Sequence, residues 1–517
     1  MSLATATRRI GWLLRTSRRF GADEALRSGR TFARAFSALG SRPLAPSQIT
    51  RWETGQLPLG REAIRRYEQL LHLTPESLVS VADTTMRYAA DGASLRSSHE
   101  TDDDLDRVRL FHMLDRVTGA DALSGADWSS LTELVAARPQ LELYPSKIWL
   151  AITDRLLDEM VDAVGIEWLQ RQEAMSRLLR HPAARHDAVE GCIAHASDPT
   201  SLSIVEPLSL LNNTQDPVAN RYVLRQLEHP DGERALEGAL QAVIRKVSQQ
   251  HFHHQESIRL VASLTSLMND ASTSGAVLAL AVEAGRRLSR QPSYAGVVPL
   301  QLHTGPVVHD AWTARRSAEP TAAQVVSARI AARVHNQLAR EAGSTDAILA
   351  TLVEETMFHP DPDLSLASAM LIGATPYRIP FTQMLLDEVK LDLARQRGTY
   401  PLASALRALT LLGVDTHRPL VHDLLTKRGA SETVRQAAAW ATPFCFGRFP
   451  EPIWRQILTV QFAAWRQSPN TTNGSILHGI AFGIGTEGHR SLLAYIREHP
   501  HAPQTARAAA ASWLLRT

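Results

Sequence analysis

The sequence predicts an all-α protein in which a bundle of five short helices is followed by a long C-terminal α-solenoid of stacked helix pairs. Three observations carry this. Apolar residues recur at i, i+3 and i+4, the spacing of one helix face, through most of the 517 residues. Beyond Leu105 no stretch of useful length alternates apolar and polar residues as a half-buried strand does. Helical segments are instead punctuated by His-Pro and Asp-Pro breaks, where proline stops one helix and a short polar residue caps the next.

Length points to two to four domains, and a hydrophobic fraction of 44% supplies ample core. We place a first domain at 1–88, an acidic flexible linker at 89–104 and a helical-repeat region at 105–517, with a possible division into two sub-stacks near 291–306. No run reaches the roughly 18 uncharged apolar residues of a membrane span, and arginines interrupt the apolar positions of Met1 to Phe20. The expectation is a soluble cytoplasmic protein. Cys192 and Cys445 form no C-x-x-C pair, which speaks against a disulfide scaffold or a cysteine-based zinc site.

The net charge of +2 conceals a division. Residues 1–73 hold thirteen arginines, no lysine and five acidic residues, a balance of +8, while the remainder holds 42 basic and 48 acidic residues, a balance of −6. The electrostatic footprint for a polyanion therefore lies at the N-terminus.

In chain order, Arg8-Arg-Ile-Gly-Trp-Leu-Leu-Arg opens an amphipathic helix, with Ile10, Leu13 and Leu14 on one side and Arg8, Arg15, Arg18 and Arg19 on the other. Thr31 to Gly40 reads as a second helix that faces inward through Phe32, Phe36 and Leu39 and stops at the glycine. The third, Ala45-Pro-Ser-Gln-Ile-Thr-Arg-Trp-Glu-Thr-Gly55, takes Pro46 in its first turn and closes at Gly55. A fourth runs from Leu59 to Leu73 with Ile64, Tyr67, Leu70 and Leu71 inward, and Thr74-Pro-Glu-Ser-Leu starts a fifth, with Thr74 as N-cap.

Five short helices with Gln48-Ile-Thr-Arg-Trp-Glu-Thr-Gly in the third resemble the Xre (Cro/repressor-type) family of helix-turn-helix DNA-binding domains. The match rests on Ile49, Thr50, Trp52, Glu53 and Gly55 and covers about the first eighty residues; the turn before the third helix and the loop before the second are longer than the family's usual ones. The resemblance implies double-stranded DNA as partner and the third helix as the reader of the major groove.

The residues agree. Ile49 and Trp52, three apart, share a face and are expected to pack the helix in place. Ser47, Gln48 and Arg51 occupy the other face, where side chains reach base edges; Gln pairs with adenine and Arg with guanine, each good pair contributing roughly 1–3 kcal/mol of discrimination. Arg42, Thr50 and Arg61 are assigned to phosphates. The alternative is a solvated arginine face without nucleic acid.

In the region 105–517, His181-Pro, His229-Pro, His359-Pro and His499-Pro each precede an alanine-rich helix, and Ser431-Glu-Thr-Val-Arg-Gln-Ala-Ala-Ala-Trp resembles the inner helix of a HEAT-type repeat, a weaker likeness than the N-terminal one. His251-Phe-His-His-Gln-Glu256 is the densest set of possible metal ligands, but its pairs face different ways and lack the H-E-x-x-H order. Gly479-Ile-Ala-Phe-Gly-Ile-Gly has no lysine and no preceding strand, so close helix packing or a turn explains it better than phosphate binding. No nucleotide-binding or hydrolase motif appears in its required context. The expectation is a bacterial transcription regulator that is not an enzyme and needs no metal or cofactor. Its repeats would serve dimerisation or sensing of a peptide or small-molecule effector, the joining of this domain to a repeat receptor being a likeness of architecture alone. The alternatives are a protein-interaction scaffold tethered to DNA and, less favoured by the −6 charge, a HEAT-like DNA-modifying enzyme.

Overall fold

The computed structural model describes residues 1–40, 43–89, 95, 103–145, 147–198, 201–294, 320–339, 346–359, 361–394, 399–412, 417–427, 429–444 and 447–516. They form an all-α fold with no strand among them. Most of the linker expected at 89–104, and all of the stretch 295–306 within the expected break, lie outside the described residues, as does Arg42. No helix among the described residues is long and apolar enough to cross a membrane.

Two compact units divide the chain, one of residues 1–197 and 203–315 and the other of 198–202 and 316–517. The first begins with α1 (Leu3–Phe20), α2 (Gly29–Ala38), α3 (Pro46–Glu53), α4 (Arg61–Leu70) and α5 (Ser77–Arg87). Their core collects Leu13, Leu14, Phe32, Phe36, Ile49, Ile64 and Tyr67 from the apolar faces read from the sequence, together with Trp12, whereas Leu39, expected to face inward, is exposed just past the end of α2. Leu70 and Leu71 are only half-buried. The fifth helix starts at Ser77, three residues past the expected cap Thr74, because Glu68 takes over the capping: its carboxylate accepts from the backbone N–H groups of Glu76, Leu78 and Val79 at 2.6 to 3.0 Å.

The same unit continues with α6 (Asp103–Thr118), α7 (Gly125–Ala136), α8 (Lys147–Asp162), α9 (Gly165–Leu178), α10 (Arg185–Ser197), α11 (Val205–Leu210), α12 (Pro217–Glu228), α13 (Glu233–Ser248), α14 (His254–Asn269) and α15 (Gly275–Arg290). These helices stack in two layers: α7, α9, α11, α13 and α15 pack successively in one, α8, α10, α12 and α14 in the other. One continuous apolar core runs through them from Leu110 to Tyr294. Each helix buries an apolar face on its neighbours.

The second unit holds α16 (Pro320–Ala339), α17 (Ala347–Phe358), α18 (Pro362–Gly373), α19 (Arg378–Ala394), α20 (Thr399–Leu412), α21 (Arg418–Thr426), α22 (Glu432–Ala441), α23 (Glu451–Gln467), α24 (Thr471–Thr486), α25 (Arg490–Glu498) and α26 (Gln504–Arg516), of which α18, α20, α22, α24 and α26 pack successively in one row. The helix that follows Ser431 belongs to this row, and Ser431 caps it. The glycine-rich segment is the middle of α24: a Cβ at Gly479 would stand 3.1 Å from the Ala439 backbone, and one at Gly485 would overlap the Trp513 ring. These glycines let three helices of this row approach closely.

The His-Pro histidines end or link helices. His229, His359 and His499 are the C-caps of their helices, and the His181 ring meets the Arg138 carbonyl oxygen at 3.0 Å through Nε2. In the cluster at 251–256, Glu256 accepts from the His253 N–H at 2.9 Å and from Asn220 Nδ2 at 3.2 Å, so its carboxylate closes the start of α14.

Candidate nucleic-acid interface

The helix α3 is short, eight residues, and propensity alone would not hold it. Pro46 occupies its first turn, where the missing N–H costs nothing. Ile49 is 1% exposed; Trp52 is half-buried and meets the Phe36 ring at 5.6 Å, so both anchor the helix as its spacing implies. Phe36 in turn meets Tyr67 of α4 at 5.8 Å. At its C-terminal end α3 abuts α1: a Cβ at Gly11 would lie 2.5 Å from the Trp52 carbonyl oxygen, and one at Gly55, whose φ is +70°, would lie 2.6 Å from Arg8 Cα. Glycine is required at Gly55 both for that dihedral and for that approach.

Charge completes the anchor. Glu53, the last residue of α3, is buried and accepts a two-pronged ion pair from Arg18 of α1, Nε to Oε1 at 2.6 Å and a terminal nitrogen to Oε2 at 2.7 Å. The Tyr67 hydroxyl donates to the same carboxylate at 3.2 Å, and Arg18 also donates to the carbonyl oxygens of Leu26 and Arg27. Burial alone would pull the Arg18 guanidinium down, but the bonds and charge of Glu53 hold it above its ordinary value. Burial, then the neighbouring Glu53, pushes the Tyr67 hydroxyl well up. Arg18 therefore lies inside, where the sequence pattern assigned it to the polar side of α1. The missed signal is Glu53 itself: an acid at the end of a helix whose inner face it shares needs a buried base, and α1 is the arginine-rich neighbour.

The opposite side of α3 is open. Ser47, Gln48, Thr50 and Arg51 are all exposed, and the side chains of Ser47, Gln48 and Arg51 have no hydrogen-bond or ion-pair partner among the described residues. The Thr50 hydroxyl bonds back to the Pro46 carbonyl oxygen at 3.3 Å. Arg8, Arg19, Arg30 and Arg34 add exposed positive charge on α1 and α2.

Arg61 corrects the phosphate assignment. It is 5% exposed, bonded to Asp83 at 2.5 Å and facing Glu133 at 3.3 Å, and no phosphate reaches a guanidinium so enclosed. It belongs to a buried seam between α4 and α5 on one side and α7 and α9 on the other. Arg65 bridges Glu76 and Glu133, Arg177 meets Asp83 at 2.7 Å, and Arg87 meets Glu173 at 2.7 Å with Thr84 donating to the same carboxylate. Burial would raise the Asp83 carboxyl, yet Arg61 and Arg177 hold it below its ordinary value. The five-helix bundle is thus fixed to the first stacked helices within one unit by ion pairs.

Comparison with protein-family models, characterised proteins and solved structures finds no match.

Proposed function

We propose that the chain is a sequence-specific DNA-binding transcription regulator of helix-turn-helix type, similar to the Xre family, that acts in the bacterial cytoplasm. The observation that supports it best is the two-sidedness of α3: one face pinned by Ile49, Trp52 and the Glu53–Arg18 pair, the other offering Ser47, Gln48 and Arg51 unpartnered to solvent. A helix held by its neighbours with free polar side chains along its outer face fits direct readout in the major groove. Thr50 and, by the sequence, Arg42 take phosphates; Arg61 has no part in contact with DNA. The stacked helix pairs are read as a HEAT-like α-solenoid that serves dimerisation and the sensing of an effector.

Support for a dimer comes from α6, which buries Leu110, Met113, Leu114 and Val117 but exposes Leu105, Val108 and Phe111 by 67%, 68% and 60%. A second copy laid antiparallel about Val108 sets Leu105 against Phe111 and Asp104 against His112, a self-complementary face of the kind a twofold interface needs. The test of function is genomic occupancy with the intact protein: a doubly substituted Gln48→Ala, Arg51→Ala chain should lose the wild-type pattern of sites, and an unchanged pattern would sink the reading. Val108→Glu should halve the mass in solution if α6 forms the dimer.

A further inference from the structure

With Arg61 buried, one of the bases expected to meet the DNA backbone is lost, and the far end of α3 offers another. Ser47 and Arg51 stand four residues apart on the outer face of α3, and Gly55 follows at the same spacing, so the edge of that face runs on toward the glycine. Arg8 of α1 crosses it there. A Cβ at Gly55 would lie 2.6 Å from Arg8 Cα and 2.9 Å from Arg8 Cγ, so the Arg8 side chain takes the space that a side chain at position 55 would fill.

Arg8 is exposed and has no hydrogen-bond or ion-pair partner among the described residues. Its charge is not offset locally. Residues 1–22 hold no acid, and Glu53, the acid of α3, is buried and engaged by Arg18 and Tyr67. Arg19, exposed on the same helix, stands near its other end with the guanidinium 5.9 Å from the Phe20 ring. Arg8 is thus the base of α1 that the fold sets against the end of α3.

We infer that Arg8 is a phosphate contact of the DNA-binding surface: its guanidinium meets one strand at the C-terminal end of α3 while Ser47, Gln48 and Arg51 read base edges. The inference rests on the DNA-binding reading above. A recognition helix presents its N-terminal residues to the bases, and the major groove is only about 12 Å wide, so a base at the helix's other end meets the sugar-phosphate strand. From Gln48 to Gly55 the helical rise is about 10 Å, a distance of that order. A guanidinium matches phosphate oxygens in a two-pronged geometry and stays charged at every working pH. Such a contact fixes register and adds affinity without reading sequence.

The test titrates the full chain against two duplexes, one taken from the genomic sites that the wild type occupies and one of the same length with that sequence scrambled, over a range of potassium chloride concentrations. Arg8→Gln should weaken binding to both by a like factor, roughly five- to tenfold at 0.1 M salt, and should make the slope of log K against log salt shallower by about 0.9. Arg8→Lys should keep most of the wild-type slope, and the urea midpoint of Arg8→Gln should match the wild type, since the side chain has no partner to lose. Arg407→Gln removes an exposed, unpartnered arginine from α20 and should leave the slope unchanged. An Arg8→Gln chain with the wild-type slope overturns the inference, as does one that loses only the preferred duplex, or an equal change of slope in Arg407→Gln. A wild type that binds the two duplexes alike fails the sequence-reading proposal instead, and the slope at Arg8 is then judged on either duplex; a wild type that binds neither overturns both.

Discussion

The two sides of the N-terminal bundle use the same residue, arginine, in two ways. On the side of α3, one carboxylate, Glu53, has one base, Arg18, and the pair fixes a single short helix. On the side of α5, Asp83 is shared by Arg61 and Arg177, and Glu133 and Glu76 are shared by Arg61 and Arg65. A single pair fails completely when one partner is removed, because the other is left charged and buried; a shared network redistributes its bonds. The short helix α3 thus hangs on a fragile anchor, and the junction with the stacked helices on a redundant one.

The sharpest way to break this contrast is Glu53→Ala. It strands the Arg18 guanidinium and should remove about 3–5 kcal/mol from the unfolding free energy of the first unit in a urea titration. Arg61→Met should cost less, about 1–3 kcal/mol, since Asp83 retains Arg177 and Glu133 retains Arg65. If the two substitutions cost the same, the distinction between anchor and network fails.

Lys246 sharpens the comparison from a third direction, as a buried base bonded only to neutral oxygens, the Thr214 carbonyl at 2.6 Å and Asn220 Oδ1 at 2.7 Å. Burial pulls its ammonium down to about 7, with Glu256 and Asp216 opposing. Between that value and the ordinary lysine range the unfolded chain binds a proton that the folded chain does not, so stability rises with pH across this window, by roughly 1–2 kcal/mol from pH 7 to pH 9. Urea midpoints at the two pH values should diverge for the wild type and much less for Lys246→Met; equal slopes would count against the burial. The smallest effect on stability belongs to Arg51→Ala, within about 0.5 kcal/mol by the same titration, because the side chain is exposed and unpartnered.

Much of this was legible in the chain. The periodicity of apolar residues located the five N-terminal helices and most of their inward faces, and Ile49 and Trp52 pack where a three-residue spacing puts them. The His-Pro breaks fell at helix ends because proline lacks the donor to continue a helix and the residue before it disfavours helical geometry. The charge count misled in one respect: a balance of +8 over residues 1–73 reads as surface, yet Arg9, Arg18 and Arg61 are buried. Arginine is amphipathic, and whether its head meets water or a carboxylate depends on which acid the fold brings to it.

By itself, then, the sequence determined the all-α class, the position of α3 and the division of its residues into an inner and an outer face, since these follow from backbone propensity and from spacing within a single helix. Which base meets Glu53, why Glu68 rather than Thr74 caps α5, and how Arg61 comes to face Asp83 and Glu133 were decided only by tertiary structure. Those partners lie 8 to 72 residues apart in the chain, on helices whose relative placement no local pattern encodes.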